Sequence, residues 1–294
     1  MTALAHTHGH KAANYAKTAM LMAGLTALAL LVGSKLGGPQ GLILAAVIIG
    51  VTNLVSFWFS DRIALALNRA QPVPPGSLPE VERIVSELAA RANIPVPKLY
   101  VVPTQSPNAF ATGRNPQHAA VAVTAGILDL LDERELRGVL AHELSHVINR
   151  DTLISTVAGT MAGMISFLAR SLFWFGGAML SGGRDGDRRR GGGFAELGVM
   201  LVAPIVALLL QMAVSRSREY GADASGAELC DDPRALASAL AKLENGVRQL
   251  PDSTAPATSH LFIVNPLSGT SLRALFSTHP PTQERIRRLL AQEA

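Results

Sequence analysis

Four apolar stretches that lack charged residues set the strongest constraint on the fold of this chain. They cover about residues 18–34, 41–60, 152–169 and 197–215. Each is about long enough to cross the hydrocarbon core of a bilayer as a helix, which takes roughly 20 residues. Charged residues make up only 16% of the chain, whereas soluble proteins carry about 25%. We therefore predict an α-helical membrane protein with about four hydrophobic spans.

The first two stretches are predicted to form a membrane hairpin, because only a short turn separates them. Lys11 and Lys17 precede the first stretch, Arg62 and Arg69 follow the second, and Lys35 alone lies in the turn. Cytoplasmic flanks carry the excess of Lys and Arg. The N-terminus and the segment after the hairpin should therefore face the cytoplasm.

The second pair of stretches leaves two interpretations open. It forms a hairpin that spans the membrane, or it folds back without crossing. Its tip carries four arginines, which opposes the positive-inside rule for an outward tip; they are Arg184, Arg188, Arg189 and Arg190. We adopt the spanning hairpin as the prediction.

The segment His142-Glu143-Leu144-Ser145-His146 has the spacing of a zinc site. In a helix, residues at i and i+4 lie on one face, so both imidazoles can reach a single zinc ion. Glu143 can then hold the water that zinc acidifies. Asp132 followed by Glu135 predicts a capping box that starts this helix. A surface helix with solvated histidines is the alternative.

A third zinc ligand is expected, because catalytic zinc usually takes three protein ligands and one water. Glu219 and Asp223 lie at i and i+4 in a later segment. We predict that Glu219 binds the metal, and that Asp223 accepts the free ring N–H of a ligating histidine. An Arg/Glu/Asp cluster on a helix surface is the alternative. The expected cofactor is one Zn²⁺ per chain.

Composition excludes two other classes of site. Cys230 is the only cysteine, which excludes an internal disulfide and a multi-cysteine metal site. The net charge of +4 comes without a basic and aromatic array, so we expect no nucleic-acid partner.

Outside the apolar stretches, the patterns predict a mixture of strands and helices. Strands are expected at 98–102, 108–112 and 119–124, and a capping box at Ser77 should open a helix whose apolar face includes Ile84 and Leu88. Further helices are predicted from about Gly126, from Pro233 to about Gly246, and from about Pro281. The predicted parts are 1–69 (tail and first hairpin), 70–151 (cytoplasmic part with the histidine helix), 152–215 (second hairpin) and 216–294 (cytoplasmic part with the third ligand and last helix).

Taken together, these motifs resemble the HtpX-type membrane zinc metalloproteases, relatives of the CAAX-prenyl protease. The resemblance rests on His-Glu-x-x-His and Glu-x-x-x-Asp, and on the segments 107–113, 260–266 and 278–285. It implies a small α+β zincin-like metalloprotease domain. It also implies that His279 donates to the reaction's oxyanion, with Arg285 behind it, so Glu143, His279 and Arg285 are the catalytic candidates.

The resemblance further implies that an edge strand binds the substrate as an added strand. That edge is expected at Asn108–Thr112 or at Ala119–Val123, and each residue there has an ordinary core position as its alternative. The candidate substrate-binding residues are Asn108, Ala109, Phe110, Ala120, Val121 and Asn265.

The expected function is zinc-dependent cleavage of misfolded or damaged membrane proteins during stress. The expected location is the bacterial inner membrane, with a multi-pass topology and an active site facing the cytoplasm. Protein substrates and the lipid bilayer are the expected partners. A dedicated processing protease for one substrate and a non-enzymatic membrane scaffold are the alternatives.

Overall fold

The structure is a computed structural model that describes residues 3–162, 165, 216–249, 263 and 280–293. The chain begins with a long helical hairpin, α1 (Ala3–Leu67), which breaks at Gly38. Gly38 has a φ of 57°, a backbone conformation that glycine adopts at little cost. The two arms approach closely beside the turn, where a Cβ added at Gly41 would collide with the carbonyl oxygen of Gly33.

Both arms of the hairpin have the length and composition of membrane spans. The segments Asn14–Lys35 and Gly38–Leu67 are each long and apolar enough to cross a bilayer. Large apolar side chains are exposed along them, among them Ile43, Leu44 and Val51. Such a continuous apolar surface fits contact with lipid. The first two predicted stretches are therefore helical, as expected.

A small mixed sheet follows the hairpin. Its strands lie in the order β1-β2-β4-β3, with β2 parallel to β4 and the other neighbours antiparallel. β4 is thus internal, and within the described part of the chain β3 pairs with β4 alone. The three predicted strands are confirmed to within one residue. The bounds are β1 (Gln71–Pro72), β2 (Lys98–Val102), β3 (Ala109–Thr112) and β4 (Ala120–Thr124).

Helices make up most of the described residues that follow the sheet, and both faces of the sheet pack against helices. The predicted helix starts near Gly126, Pro233 and Pro281 agree with the structure, although the helix after Pro233 extends to Gln249 rather than Gly246. Short 3₁₀ turns occupy Pro116–His118 and Ala291–Glu293. The helices are α2 (Pro79–Arg91), α3 (Ala125–Leu130), α4 (Glu133–Asn149), α5 (residues 151–162), α6 (Arg216–Cys230), α7 (Pro233–Gln249) and α8 (Thr282–Leu290).

The predicted capping box at Ser77 is wrong. The Ser77 hydroxyl donates to the carbonyl of Pro74 at 2.7 Å, and no side chain caps α2. Glu82 instead accepts the backbone N–H groups of Gly76 at 2.9 Å and Leu78 at 3.3 Å. The backbone N–H groups at the start of α2 are therefore bound by Glu82, a residue in the first turn of the helix itself.

The main core lies between the sheet and α4. Ile84 and Leu88 of α2, Val121 of β4, and Val139 and Leu140 of α4 belong to it and are almost fully buried. Apolar burial of this kind contributes about 1.5–3 kcal/mol for each large side chain. It fixes α4 as the central helix of the part that follows the hairpin.

Both arms of the hairpin also pack against the remainder of the chain. Leu21 of the first arm packs in a cluster with Val157 and Met161 of α5. Leu65 of the second arm packs with Phe110 and Ala122 of the sheet. The Leu65 contact lies at the end of the hairpin away from its turn at Gly38, and the Leu21 contact lies about midway along the first arm.

The second hydrophobic hairpin falls mostly outside the described residues. Its beginning is described as α5, which starts directly after α4 and runs from 151 to 162. The predicted stretch 197–215 and the arginine-rich tip lie outside the described residues.

Candidate metal centre

Helix α4 begins as its sequence predicts. Asp132 accepts the N–H of Glu135 at 2.8 Å, and the Glu135 carboxylate accepts the N–H of Asp132 at 3.1 Å, which completes the predicted capping box. The helix ends at Arg150, whose φ of 63° gives a left-handed cap. His142 and His146 lie inside the helix between these two ends, so their i, i+4 spacing places them on one face.

A close helix contact brings α6 to this face. A Cβ added at Gly226 would lie 2.8 Å from the Cα of His142, so only a glycine permits this approach. Glu219 lies almost two turns earlier on α6, over the histidines. Sequence spacing predicted Glu219 and Asp223 on one face, but it did not identify Gly226 as the contact that brings α6 close to α4.

Three donor atoms converge between the helices. His142 Nε2 lies 3.2 Å from His146 Nε2. Glu219 Oε1 lies 3.6 Å from His146 Nε2, and Glu219 Oε2 lies 3.8 Å from His142 Nε2. One ligand atom from each residue lies within 4.8 Å of the others.

This donor set fits a zinc ion. With zinc bonds of about 2.0–2.1 Å, the edges of a tetrahedron measure about 3.3 Å, close to the observed separations. A His₂Glu set is also one that catalytic zinc uses. The donors therefore need only small adjustments to take a metal, and three protein ligands leave a position for water.

Carboxylates orient both histidine rings. His142 Nδ1 lies 3.0 Å from Asp223 Oδ1, and His146 Nδ1 lies 3.1 Å from Asp151 Oδ2. Such contacts on the Nδ1 side direct Nε2 towards the metal position, and in a metal-bound site they favour the proton on Nδ1. Asp223 was expected to accept a histidine N–H. Asp151 was not predicted, although its position just after the histidine helix, at the edge of an uncharged run, was an available signal.

The ionisation of the two histidines differs. Burial lowers the pKa of His142. Burial acts in the same direction on His146, but its hydrogen bond to Asp151 and the charge of Glu219 outweigh burial and raise its pKa to about 9. The local field is therefore negative around His146, which favours a cation at this position.

Arg285 is buried against the donor set, with its Nη2 3.4 Å from His142 Nε2 and its Nη1 3.8 Å from Glu219 Oε2. It is 1% exposed, and it donates to Asp223 through Nε at 2.8 Å and Nη2 at 2.7 Å. Its Nη1 donates to the carbonyl of Ile263 at 2.9 Å. Burial alone would raise the pKa of Asp223, but the charge and hydrogen bonds of Arg285 outweigh it and lower that pKa to about 2. Arg285 therefore holds Asp223 ionised.

Glu143 faces the edge strand. It is 6% exposed, and its Oε2 accepts the backbone N–H of Ala111 in β3 at 2.9 Å. Burial raises the pKa of Glu143 to about 7, and the neighbouring Glu219 carboxylate acts in the same direction. The N–H of Ala111 points away from β4, so Glu143 lies along the free edge of β3.

The strand positions settle which predicted edge exists. Ala120 and Val121 lie in β4, which pairs with β2 on one side and with β3 on the other. The alternative that placed a free edge at Ala119–Val123 is therefore wrong, because the backbone groups of β4 are already paired. Ala109 remains on the edge strand β3.

The other predicted binding residues have internal partners or lie outside the described residues. Phe110 is buried against the second arm of α1. The Asn108 side chain accepts the N–H of Ile263 at 3.0 Å, and its backbone N–H donates to the Thr124 hydroxyl at 2.9 Å. Asn108 therefore ties β3 to a later segment. His279 and Asn265 lie outside the described residues.

Comparisons with known proteins identify a peptidase family and similar chains. Peptidase family M48 matches residues 76–293. The protein "Protease HtpX homolog" of Syntrophobacter fumaroxidans is 52% identical over 276 residues, which cover 93% of this chain and 97% of that relative. The protein of the same description from Methylibium petroleiphilum is 52% identical over 281 residues, with 95% and 97% covered.

A solved structure is also similar. The crystal structure of Ste24p from S. mikatae matches with a TM-score of 0.50 and 19% sequence identity. The match covers 98% of this chain and 66% of that protein. At this identity the likeness concerns the fold alone, and it supports a shared arrangement of the helices and sheet.

Proposed function

This chain belongs to peptidase family M48, as its motifs indicated, and we propose that it is a zinc-dependent endopeptidase of the bacterial cytoplasmic membrane. The family and the relatives identify a metalloprotease. The observation that carries the zinc proposal is the convergence of His142, His146 and Glu219, whose ligand atoms lie within 4.8 Å of one another.

The three converging residues would hold the metal, and the rest of the site prepares them. Zinc, when bound, would acidify a water molecule and polarise the carbonyl of the scissile peptide bond. Asp223 and Asp151 lie on the Nδ1 sides of the two histidine rings, so that the Nε2 atoms are directed at the metal position. Arg285 is assigned to positioning instead of substrate contact, because its hydrogen bonds to Asp223 and its burial leave it no open side.

Glu143 is proposed as the general base. It is next to His142 in sequence, faces the same space, and has a pKa of about 7, close to the pH at which it would work. Its carboxylate would accept the proton of the attacking water and pass it to the leaving amine. His279 is proposed as a donor to the oxyanion, on the basis of the family resemblance.

The free edge of β3 is proposed as the substrate-binding strand. An extended substrate paired there would gain main-chain hydrogen bonds that do not depend on its sequence. It would also pass along Glu143, which lies on that edge through its hydrogen bond to Ala111. This arrangement suits a protease with broad sequence tolerance.

We further propose that the site faces the cytoplasm and that the substrates are misfolded or damaged membrane proteins. The positive-inside rule supports the orientation. The contact of Leu65 with the sheet supports it as well, because it keeps the end of the hairpin that carries Arg62 and Arg69 beside the protease part (residues 70–151 and 216–294). The choice of damaged membrane proteins rests on the family resemblance.

The test compares cleavage by wild type and Glu143→Gln. Both are purified in detergent with chelator, then given zinc and an unfolded test protein. Glu133→Gln is the matched control, since Glu133 is an exposed acid on the same helix. Cleavage by wild type and control but not by Glu143→Gln supports the proposal. Equal cleavage by all three would reject Glu143 as the base.

The substrate class needs a second assay. One membrane protein is reconstituted with the protease in liposomes, once in its folded state and once as a destabilised variant. The proposal expects cleavage of the destabilised form at several sites. Cleavage of the folded form at a single site would instead support a dedicated processing protease.

A further inference from the structure

The N-terminal membrane helix makes a direct polar contact with the metal centre. Asn14 lies at the start of the first span, and its side-chain amide donates to Asp151 Oδ1 at 2.7 Å. Asp151 holds His146 through its other oxygen, Oδ2, at 3.1 Å. A chain of two hydrogen bonds thus runs from α1 to a proposed metal ligand 132 residues away in sequence.

The contacts of Asn14 use its full donor capacity. Its amide nitrogen also donates to the carbonyl of Asn149 at 3.1 Å, so both N–H bonds of the amide are occupied. Both acceptors are oxygens, and one belongs to a carboxylate. Only the nitrogen end of the amide can therefore face them, and an aspartate at this position would repel Asp151.

The carbonyl that Asn14 binds lies at the end of α4. The last carbonyls of a helix have no partner within the helix, and α4 ends at Arg150 in a left-handed cap. Asn14 therefore satisfies a free carbonyl of the metal-binding helix while it orients Asp151. The side chain is 4% exposed, and an unpaired amide in such surroundings would be costly.

Asp151 receives donors from several elements. His146 approaches from α4, Asn14 from α1, and Arg218 Nε of α6 lies 3.8 Å from Oδ1. The asparagine contact is the shorter of the two at Oδ1. It fixes the rotation of the carboxylate, so that Oδ2 remains aimed at the Nδ1 of His146.

We propose that Asn14 is a positioning residue of the metal centre, acting through Asp151 on His146. This inference rests on the proposed metal site. It means that the first membrane helix completes the site in addition to anchoring the chain. A protease part separated from α1 would carry all three ligands and still hold the metal weakly.

Zinc affinity of the full-length protein in detergent tests the proposal. Competition with a chromophoric chelator gives the affinity, and the visible spectrum of the cobalt-loaded protein reports the ligand geometry. Outer partners of metal ligands contribute about 10–100-fold to affinity. We expect Asn14→Leu to weaken zinc binding by about 10-fold and to shift the cobalt bands.

Asn53→Leu is the matched control. Asn53 lies in the second arm of the same hairpin and donates to the Thr26 hydroxyl at 2.9 Å. This substitution removes the same kind of hydrogen bond far from the metal centre. Its zinc affinity and cobalt spectrum should equal those of wild type. If leucine at position 14 prevents folding, Asn14→Ala makes the same test, because alanine only removes atoms and suits a helix.

A double-mutant cycle identifies the route. Once Asp151→Ala has removed the carboxylate, loss of the Asn14 amide should weaken zinc binding no further. If the losses of zinc affinity caused by the two substitutions multiplied in the double variant, the proposal would be overturned. Wild-type zinc affinity and a wild-type cobalt spectrum in Asn14→Leu would overturn it as well. If wild type itself bound no zinc, the proposed function would fail too. Zinc binding by wild type that is insensitive to Asn14 would reject this inference alone.

Discussion

Substitution of Gly226 by alanine should separate the two helices that carry the metal ligands. The added Cβ would lie 2.8 Å from the Cα and 2.9 Å from the N of His142, and 3.2 Å from the carbonyl carbon of Ala141. All three are backbone atoms inside a helix, so they cannot rotate away as a side chain would. The helices α4 and α6 must move apart instead.

The size of this movement follows from ordinary contact distances. Non-bonded carbon atoms rest at about 3.5–4.0 Å, so the helices must separate by roughly 0.7 Å or more. Metal–ligand distances tolerate about 0.2 Å. Glu219 lies on α6 and the two histidines lie on α4. Separation of the helices therefore lengthens the distances between the Glu219 carboxylate and the two imidazoles.

Two effects are therefore expected in Gly226→Ala. Overpacking should lower the free energy of unfolding by about 1–3 kcal/mol, partly offset by the better helix propensity of alanine, about 1 kcal/mol. Zinc affinity should fall by about 10-fold or more, the scale of disturbed outer partners. Chelator competition measures the affinity, and thermal unfolding in detergent measures the stability.

Gly221→Ala is the matched control on the same helix. A Cβ at Gly221 meets nothing within 4 Å, so this variant should keep wild-type zinc affinity and gain stability from its propensity. If Gly226→Ala bound zinc as tightly as Gly221→Ala, the close contact would not set the ligand geometry, and the reasoning would be refuted.

Two further predictions concern Arg285 and His146. Arg285→Met leaves the Asp223 carboxylate buried without its cation, and should cost about 3–5 kcal/mol of stability, measured by unfolding. Arg288→Met, an exposed arginine on the same helix, should change stability by about 0.5 kcal/mol or less, and equal losses in the two would contradict the burial argument. Because the pKa of metal-free His146 is raised to about 9, a proton occupies it below that pH and must leave when metal binds. Zinc affinity should thus rise about tenfold per pH unit up to about pH 9, and competition titrations showing a flat profile would contradict the assigned pKa.

The sequence predicted the elements whose signals are local. The capping box of Asp132 and Glu135 depends on residues three apart, and the common face of His142 and His146 depends on one helical turn. Such signals need no knowledge of the remaining fold. The capping box predicted at Ser77 was also a local signal, but it failed. The Ser77 hydroxyl binds the nearby carbonyl of Pro74 instead, and residue spacing alone does not show which nearby group a side chain binds.

Long-range contacts were not predictable in this way. Periodicity indicated β3 and β4 but not their order in the sheet. β4 pairs in parallel with β2, although β3 lies between them in sequence. The partner of Arg285 is Asp223, 62 residues away. Asn14 and Asp151 meet across 137 residues. No pattern within one element carries such information. The convergence of His142, His146 and Glu219 was predictable, whereas the roles of Asp151, Asn14 and Gly226 around them were not.

The most direct test of the account is the dependence of cleavage on zinc. Chelator-stripped wild type and Glu219→Gln would be titrated with zinc while the cleavage of an unfolded test protein is followed. The account predicts that wild-type activity rises from zero and saturates at one zinc ion per chain, while Glu219→Gln stays inactive through that range. Full activity of the stripped wild type, or identical titration curves for the two proteins, would contradict it.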